Sequence, residues 1–205
     1  DQNAGADAYN IAIGHNAGKE VTTGTNNVLI GGNTGVALTT GSDNIAIGKA
    51  TLATEDAHGR NIAIGSGALY YLNAGIDAQN VAVGYQAGAA MTTGQYNILL
   101  GGECGDGLTT GTKNIAIGFR ALGAEDAHGR NVAIGYYALA VQNAGADAYN
   151  VAIGYDTGKA ITTGIRNTLM GGNAGDALTA GHYNVAIGFE ALSTEDAHGR
   201  NVAIG

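Results

Sequence analysis

The chain has 205 residues, of which 36 are Gly and none Pro; 45% are hydrophobic and one is Cys. Its net charge of −8, on a chain with only 13% charged residues, argues against nucleic acid or an anionic membrane as partner, because phosphate contacts need clustered Lys and Arg. A lone Cys excludes an intrachain disulfide framework, and no apolar run approaches the roughly 18 residues of a transmembrane helix.

The first element in the chain also organises the rest. Asn10-Ile11-Ala12-Ile13-Gly14 returns, lightly varied, with its Asn at Asn10, Asn27, Asn44, Asn61, Asn80, Asn97, Asn114, Asn131, Asn150, Asn167, Asn184 and Asn201. The steps run 17, 17, 17, 19 and then repeat, so coils of about 17 residues nest in a super-repeat of 70. Self-similarity at a short fixed period predicts a solenoid, which grows along one axis and has no central core. Residues 1–205 are therefore read as one repeat domain, with super-repeats at 10–79, 80–149 and an incomplete 150–205. Both ends fall inside a repeat, so the segment is expected to be an excerpt of a longer fibre.

Within each coil, the Ile-Ala-Ile core alternates with period 2 between Asn and Gly, which predicts a short strand. The two large aliphatics point one way and the middle residue the other. The middle residue is Ala in nine copies and Leu in the three second coils (Leu29, Leu99, Leu169). Such a strand is suited to burial on both sides: the coil interior on one, and on the other a neighbour close enough to require a small residue. Gly14 and its equivalents make one corner and Gly24 and its equivalents a second, which suits a flattened, two-sided roll.

Mid-coil, first and second coils pair an early Gly (Gly18, Gly35, Gly88, Gly105, Gly158, Gly175) with a later aliphatic (Val21, Leu38, Met91, Leu108, Ile161, Leu178). Third coils invert this, with Leu52, Leu122 and Leu192 early and Glu55, Glu125 and Glu195 late. The lumen thus receives one further apolar filler per coil from either of two places. Fourth coils carry the early Leu69 and Leu139, and their two extra residues are expected to bulge outward. The recurring Asn is expected to form a structural ladder, its amide bonding the backbone of the next coil at about 4.8 Å spacing.

The units NIAIGxxAG…TTGxxN and NVAIGYxAL resemble the head repeats of YadA-like trimeric autotransporter adhesins, and still more the 17-residue repeats of phage tail fibres. The resemblance covers the whole chain. It implies a left-handed parallel β-roll with three chains side by side around an axis, forming a stiff rod. It would place Ala12, Ala46, Ala63 and their equivalents on the crowded face towards neighbouring chains. The 17/17/17/19 rhythm departs from the shorter coils of adhesin heads and favours a fibre shaft.

The strongest candidate for chemistry is Glu55-Asp56-Ala57-His58-Gly59-Arg60, which repeats at 125–130 and 195–200. Carboxylates beside His suit acid–base work or half a metal site. The copies lie four coils apart, about 19 Å, too far to share an ion. They are read as solvated corners with Arg60–Asp56 ion pairs, and His58, His128 and His198 are assigned no metal. No phosphate loop, calcium-roll period or nucleophile motif occurs, so neither cofactor nor enzyme activity is expected. Cys104 occupies the place of Thr34 and Ala174 and is expected to act as a small side chain.

Thr pairs such as Thr22-Thr23 and Thr39-Thr40 raise ice binding as a remote alternative, although third and fourth coils break the array. Tyr70, Tyr71, Tyr136 and Tyr137, with Tyr85 and Tyr155 just after them, are read first as padding for the 19-residue coil. The alternative is an outward patch that contacts a host glycan or protein. The sequence therefore predicts a structural shaft segment of a tail fibre or similar appendage at a virion or cell surface. The competing function is an adhesin head, and the partner expected in either case is the chain itself, as a homotrimer.

Overall fold

A computed structural model describes residues 7–125 and 127–205. Each pentapeptide forms one three-residue strand: β1 Ile11–Ile13, β2 Val28–Ile30, β3 Ile45–Ile47, β4 Ile62–Ile64, β5 Val81–Val83 and β6 Ile98–Leu100. They continue as β7 Ile115–Ile117, β8 Val132–Ile134, β9 Val151–Ile153, β10 Thr168–Met170, β11 Val185–Ile187 and β12 Val202–Ile204. The twelve strands make one parallel sheet in chain order, each paired in register with the strand one coil later, as Ile11 is with Val28 and Ile64 with Val83. No helix is present among the described residues. The result is a β-solenoid whose sheet spans about 53 Å, eleven spacings of ~4.8 Å. The rest of each coil is turns and bends, so β-structure lines one side only and not both sides of the roll.

The Asn ladder forms as the repeat predicts. The backbone N–H of each Asn donates to Oδ1 of the Asn one coil earlier, from Asn27 onto Asn10 at 2.8 Å to Asn201 onto Asn184 at 2.9 Å. All eleven links are present, with intermediate distances of 2.9–3.2 Å. In first and second coils Nδ2 also donates across the coil to the second-corner Gly carbonyl, as Asn97 does to Gly111 at 2.9 Å. Third coils use the His carbonyl at the same offset, Asn44 to His58 at 3.3 Å. In the wide first fourth coil this lock is absent, and Asn61 Nδ2 turns instead to Gly59 at 3.2 Å.

The strand faces are the reverse of the sequence-based assignment. The middle residue points into the lumen: Leu29, Ala46, Ala63, Ala82, Leu99, Ala116, Ala133, Ala152, Leu169 and Ala186 are wholly buried. Ala12 points the same way, since a Cβ added to Gly18 would lie 3.8 Å from its methyl. The alanines therefore do not face neighbouring chains, and the large flanking aliphatics point outward, partly or wholly exposed. The physical reason is lumen width. A Cβ on Gly88 would meet Leu99 Cδ1 at 2.7 Å, and one on Gly105 would meet Leu99 Cδ2 at 2.9 Å. One Leu from a second-coil strand thus occupies the space over the early Gly of both its own coil and the coil before. Third and fourth coils reverse the trade, with Ala in the strand and a buried Leu52, Leu69, Leu122 or Leu139 at the early site.

That early site has positive φ in every super-repeat: Gly88 at 61° and Leu122 at 54°, for example. A Leu held there bears a backbone cost of about 1–2 kcal/mol, outweighed by burial of an apolar side chain worth about 1.5–3 kcal/mol. The late fillers Leu38, Met91, Leu108, Ile161 and Leu178 are also fully buried, as the compensation pattern requires. The fourth-coil insertions bulge outward: Gly75, Ile76, Gly145 and Ala146 are exposed.

Leu72 fills the lumen of the first wide coil, and Gln142 takes its place in the second. Gln142 is wholly buried, and neither end of its amide has a hydrogen-bond partner among the described residues. Gln142→Leu is expected to raise stability by about 1–3 kcal/mol, the cost of a buried unsatisfied polar group. Asn97→Ala is expected to lower it by about 1–3 kcal/mol for each orphaned group, since it strands the N–H of Asn114 and the carbonyl of Gly111. Urea unfolding midpoints at constant slope measure both, and an unchanged midpoint for Asn97→Ala would remove the ladder's structural role.

Candidate functional site

The largest chemical feature on the surface is the outer face of the sheet. Two rows of side chains run along it, Ile11 to Val202 and Ile13 to Ile204, two from each strand. Of these 24 positions only Thr168 is polar. Within this face Ile45, Ile98, Met170 and Ile187 are 36–41% exposed, in the body of the solenoid and not at its ends. An apolar strip some 53 Å long, much of it half-buried, differs from the singly scattered apolar side chains usual on a protein surface. The sequence signal for it was the same Ile-x-Ile alternation that defined the strands; only the direction of each face was missing.

The Glu-Asp-Ala-His corners are not uniformly solvated. Glu55 is fully buried: Oε1 accepts the His58 N–H at 3.1 Å and Oε2 the Ala74 N–H of the next coil at 3.4 Å. Burial pushes its carboxyl above the ordinary range, against the lowering pull of those bonds. Glu195, followed in this sequence by only Asn201–Gly205 of the next coil, accepts hydrogen bonds from its own corner, where Ala197 and His198 donate. Those bonds hold Glu195 below the ordinary range and raise His198. The ion pair expected between Arg60 and Asp56 is replaced by Arg60–Asp77 at 3.0 Å, reaching to the following coil. Glu55, Asp56 and His58 bring one ligand atom each within 4.8 Å of one another, as do Glu195, Asp196 and His198. Glu55 already caps two backbone N–H groups, a structural task that accounts for its position. In the middle copy, Asp126 lies outside the described residues.

Tyr70, Tyr71, Tyr136 and Tyr137 do not pad the wide coil. Leu69 and Leu139 do that, together with Leu72 in the first, while Tyr71 and Tyr136 are exposed and Tyr70 and Tyr137 half-buried. The Tyr136 ring lies in a stack with Phe119 and Tyr155, centroids 5.6 and 5.4 Å apart on adjacent coils. Tyr137 meets Tyr136 edge-on at 4.6 Å. A second row, not anticipated, lies just before each Asn, where all twelve residues have φ between 49° and 65°. Over its last five members Arg and Tyr alternate, and each Arg lies over a Tyr ring: Arg130 over Tyr149 at 5.3 Å, Arg166 over Tyr183 at 5.4 Å, Arg200 over Tyr183 at 6.0 Å. Aligning the coils on their Asn and reading the preceding column would have found it.

Cys104 is buried, its thiol pushed up to about 12 by burial, and Sγ lies 2.9 Å from the Ala116 carbonyl. It behaves as the small side chain the repeat predicts. Thr22, Thr39, Thr92 and Thr162 direct their hydroxyls to the next coil, Thr39 to the Asp56 carbonyl at 2.7 Å and Thr162 to the Thr179 carbonyl at 3.2 Å. No helix among the described residues is long and apolar enough to cross a membrane. Comparison with protein-family models, with curated proteins and with solved structures finds no match to this chain.

The buried carboxyl makes a testable contribution to stability. Glu55 has a folded pKa raised above its unfolded value of about 4.5, so the folded chain holds that proton more tightly. Its contribution is complete below the ordinary carboxylate range and fades as pH rises through the folded value. The melting temperature of the native chain relative to Glu55→Gln should therefore fall between pH 4 and pH 7. A constant difference across that range would show that the burial does not perturb Glu55.

Proposed function

We propose that this chain is a shaft segment of a fibre, a homotrimeric left-handed β-roll rod in a tail fibre or similar surface appendage. The observation that carries the proposal is the aliphatic sheet face, 23 apolar side chains, mostly Ile and Val, in two straight rows broken only by Thr168 on an acidic chain. Burying that face offsets the loss of translational freedom on association, at roughly 25 cal/mol per Å² of apolar area removed from water. A straight strip on each of three rods can be covered by packing the strips around a common axis. The resemblance to YadA-like and tail-fibre repeats supplies the number three and the handedness. Extracellular or virion-surface placement rests on the same resemblance.

The mechanical argument is separate. Every coil is bonded to the next by a strand pair, an Asn link and turn hydrogen bonds, so bending the rod strains all of them together. In-register parallel rungs with no long loops between them suit a stiff spacer. Host recognition in the shaft role falls to other regions of a longer protein, whereas an adhesin head would bind through this surface.

In solution the molar mass is expected to be three times the 20.4 kDa of one chain. Ile98→Glu with Ile115→Glu places two charges on the outer face without touching the lumen. That variant should fall to one chain's mass with its β-rich circular dichroism intact. A monomeric or dimeric native chain would overturn the three-chain assignment, and a trimer indifferent to the two charges would overturn the interface.

A further inference from the structure

The wide fourth coil opens a groove in the turn wall, past the Gly corner and away from the apolar sheet face. In the second super-repeat the groove has a volume of about 340 Å³ and is lined by Tyr137, Ala140 and Val141, with Arg120, Lys159 and Asp106 at its polar edge. In the first super-repeat the same place holds a groove of about 240 Å³, lined by Gly67, Tyr70, Tyr71, Gln86 and Ala89. Four lining positions correspond across the 70-residue period, Gly67 with Tyr137, Tyr70 with Ala140, Tyr71 with Val141 and Ala89 with Lys159, and the ring changes place among them. Where one copy has Gly67 facing Tyr70 and Tyr71, the other has Tyr137 facing Ala140 and Val141. The ring has moved from one bank to the other, and both copies keep an open slot with an aromatic wall.

The geometry points to these two grooves as binding sites for a neutral hexopyranose unit of a glycan. The face of a pyranose ring carries C–H groups that pack on an aromatic side chain, while its rim carries hydroxyls that need donors and acceptors. The second groove offers that combination. The Tyr137 ring is held edge-on by Tyr136 at 4.6 Å and by Phe119 at 5.7 Å, so little freedom is lost when a ligand packs against it. The Lys159 ammonium stands over one face of the Tyr137 ring, 5.1 Å from its centroid, where it can donate to a hydroxyl of a sugar lying along the ring, and Asp106, half-buried, lines the slot from two coils earlier. The cations are already matched, Arg120 by Glu103 at 2.6 Å and Lys159 by Asp156 at 2.8 Å. This local balance favours an uncharged sugar over a sulfated or uronic one. The volumes lie at and just below the lower end of the ~300–1,000 Å³ typical of small-molecule sites, suited to a monosaccharide unit. Four coils separate the grooves, about 19 Å along one line, so a single polysaccharide engaging both gains from effective concentration.

The test uses the whole chain and a panel of linear tetrasaccharides of glucose, galactose and N-acetylglucosamine, with a galacturonate tetramer as the anionic member, read by titration calorimetry. At least one neutral member is expected to bind. Tyr137→Ala should weaken it tenfold or more, and Tyr71→Ala with Tyr137→Ala should abolish binding. Val141→Trp, which blocks the second groove from its exposed bank, should reproduce the effect of Tyr137→Ala if the alanine variants lose their fold. Absence of binding by every neutral member, or binding that survives both the double replacement and Val141→Trp, overturns the proposal. So does binding confined to the galacturonate tetramer and weakened by salt, which would place the contact on the Arg row. The three-chain rod is read from molar mass, which these variants leave unchanged, so it and the glycan site can fail separately, and glycan binding here favours the adhesin-head reading of the same rod.

Discussion

The structure depends on one hydrogen bond made eleven times, from the backbone N–H of an Asn to the side-chain oxygen of the Asn one coil before. Where the parallel strands begin, the chain emerges from a residue with positive φ and cannot continue the regular ladder. The Asn amide supplies the missing acceptor, and in most coils its other end ties off the opposite corner of the same coil. Asp would lack the donor, Ser and Thr the reach, and Gln would overshoot. This explains why Asn is invariant within the chain while the strand residues drift among Ile, Val, Leu, Met and Thr.

The second constraint is the lumen, about one Leu side chain wide per coil. It explains the otherwise odd positions of large residues. A Leu sits in the strand only where two successive coils have Gly at the early site, and a Leu accepts positive φ at that early site only where the strand has Ala. Each coil is complementary to the one before it, so the 70-residue super-repeat, and not the 17-residue coil, is the smallest unit that packs without a void. The wide fourth coil gives up the cross-coil Asn lock and gains an outward bulge and a groove. Its lumen tolerates a buried Gln in one copy, a local defect in a well-packed column.

Surface chemistry follows from the stacking. Any side chain at a given offset stands about one rung above its counterpart, so rows form without further design: aliphatic on the sheet, aromatic past the first corner, Arg and Tyr before the Asn. The same arrangement bears on protonation: Glu55 is pushed up by burial under the next coil, a contact between coils that is invisible within any one of them.

The sequence by itself determined the solenoid, the strand positions, the parallel register, the Asn ladder, the outward bulge of the fourth coil and the role of Cys104 as a small side chain. Each rests on spacing, and period along the chain maps directly onto stacking along the axis. Only the tertiary structure decided which strand face looks inward, that β-structure lines a single side, that Glu55 is buried and that the tyrosines of the wide coil stand outside it. A period-2 pattern separates two faces but carries no sign; the sign comes from the volume left by Gly88, Gly105 and their kind across the lumen. The two grooves likewise arise from residues 70 apart, where Tyr70 and Tyr71 in one copy and Tyr137 in the other line the same corner of the fold.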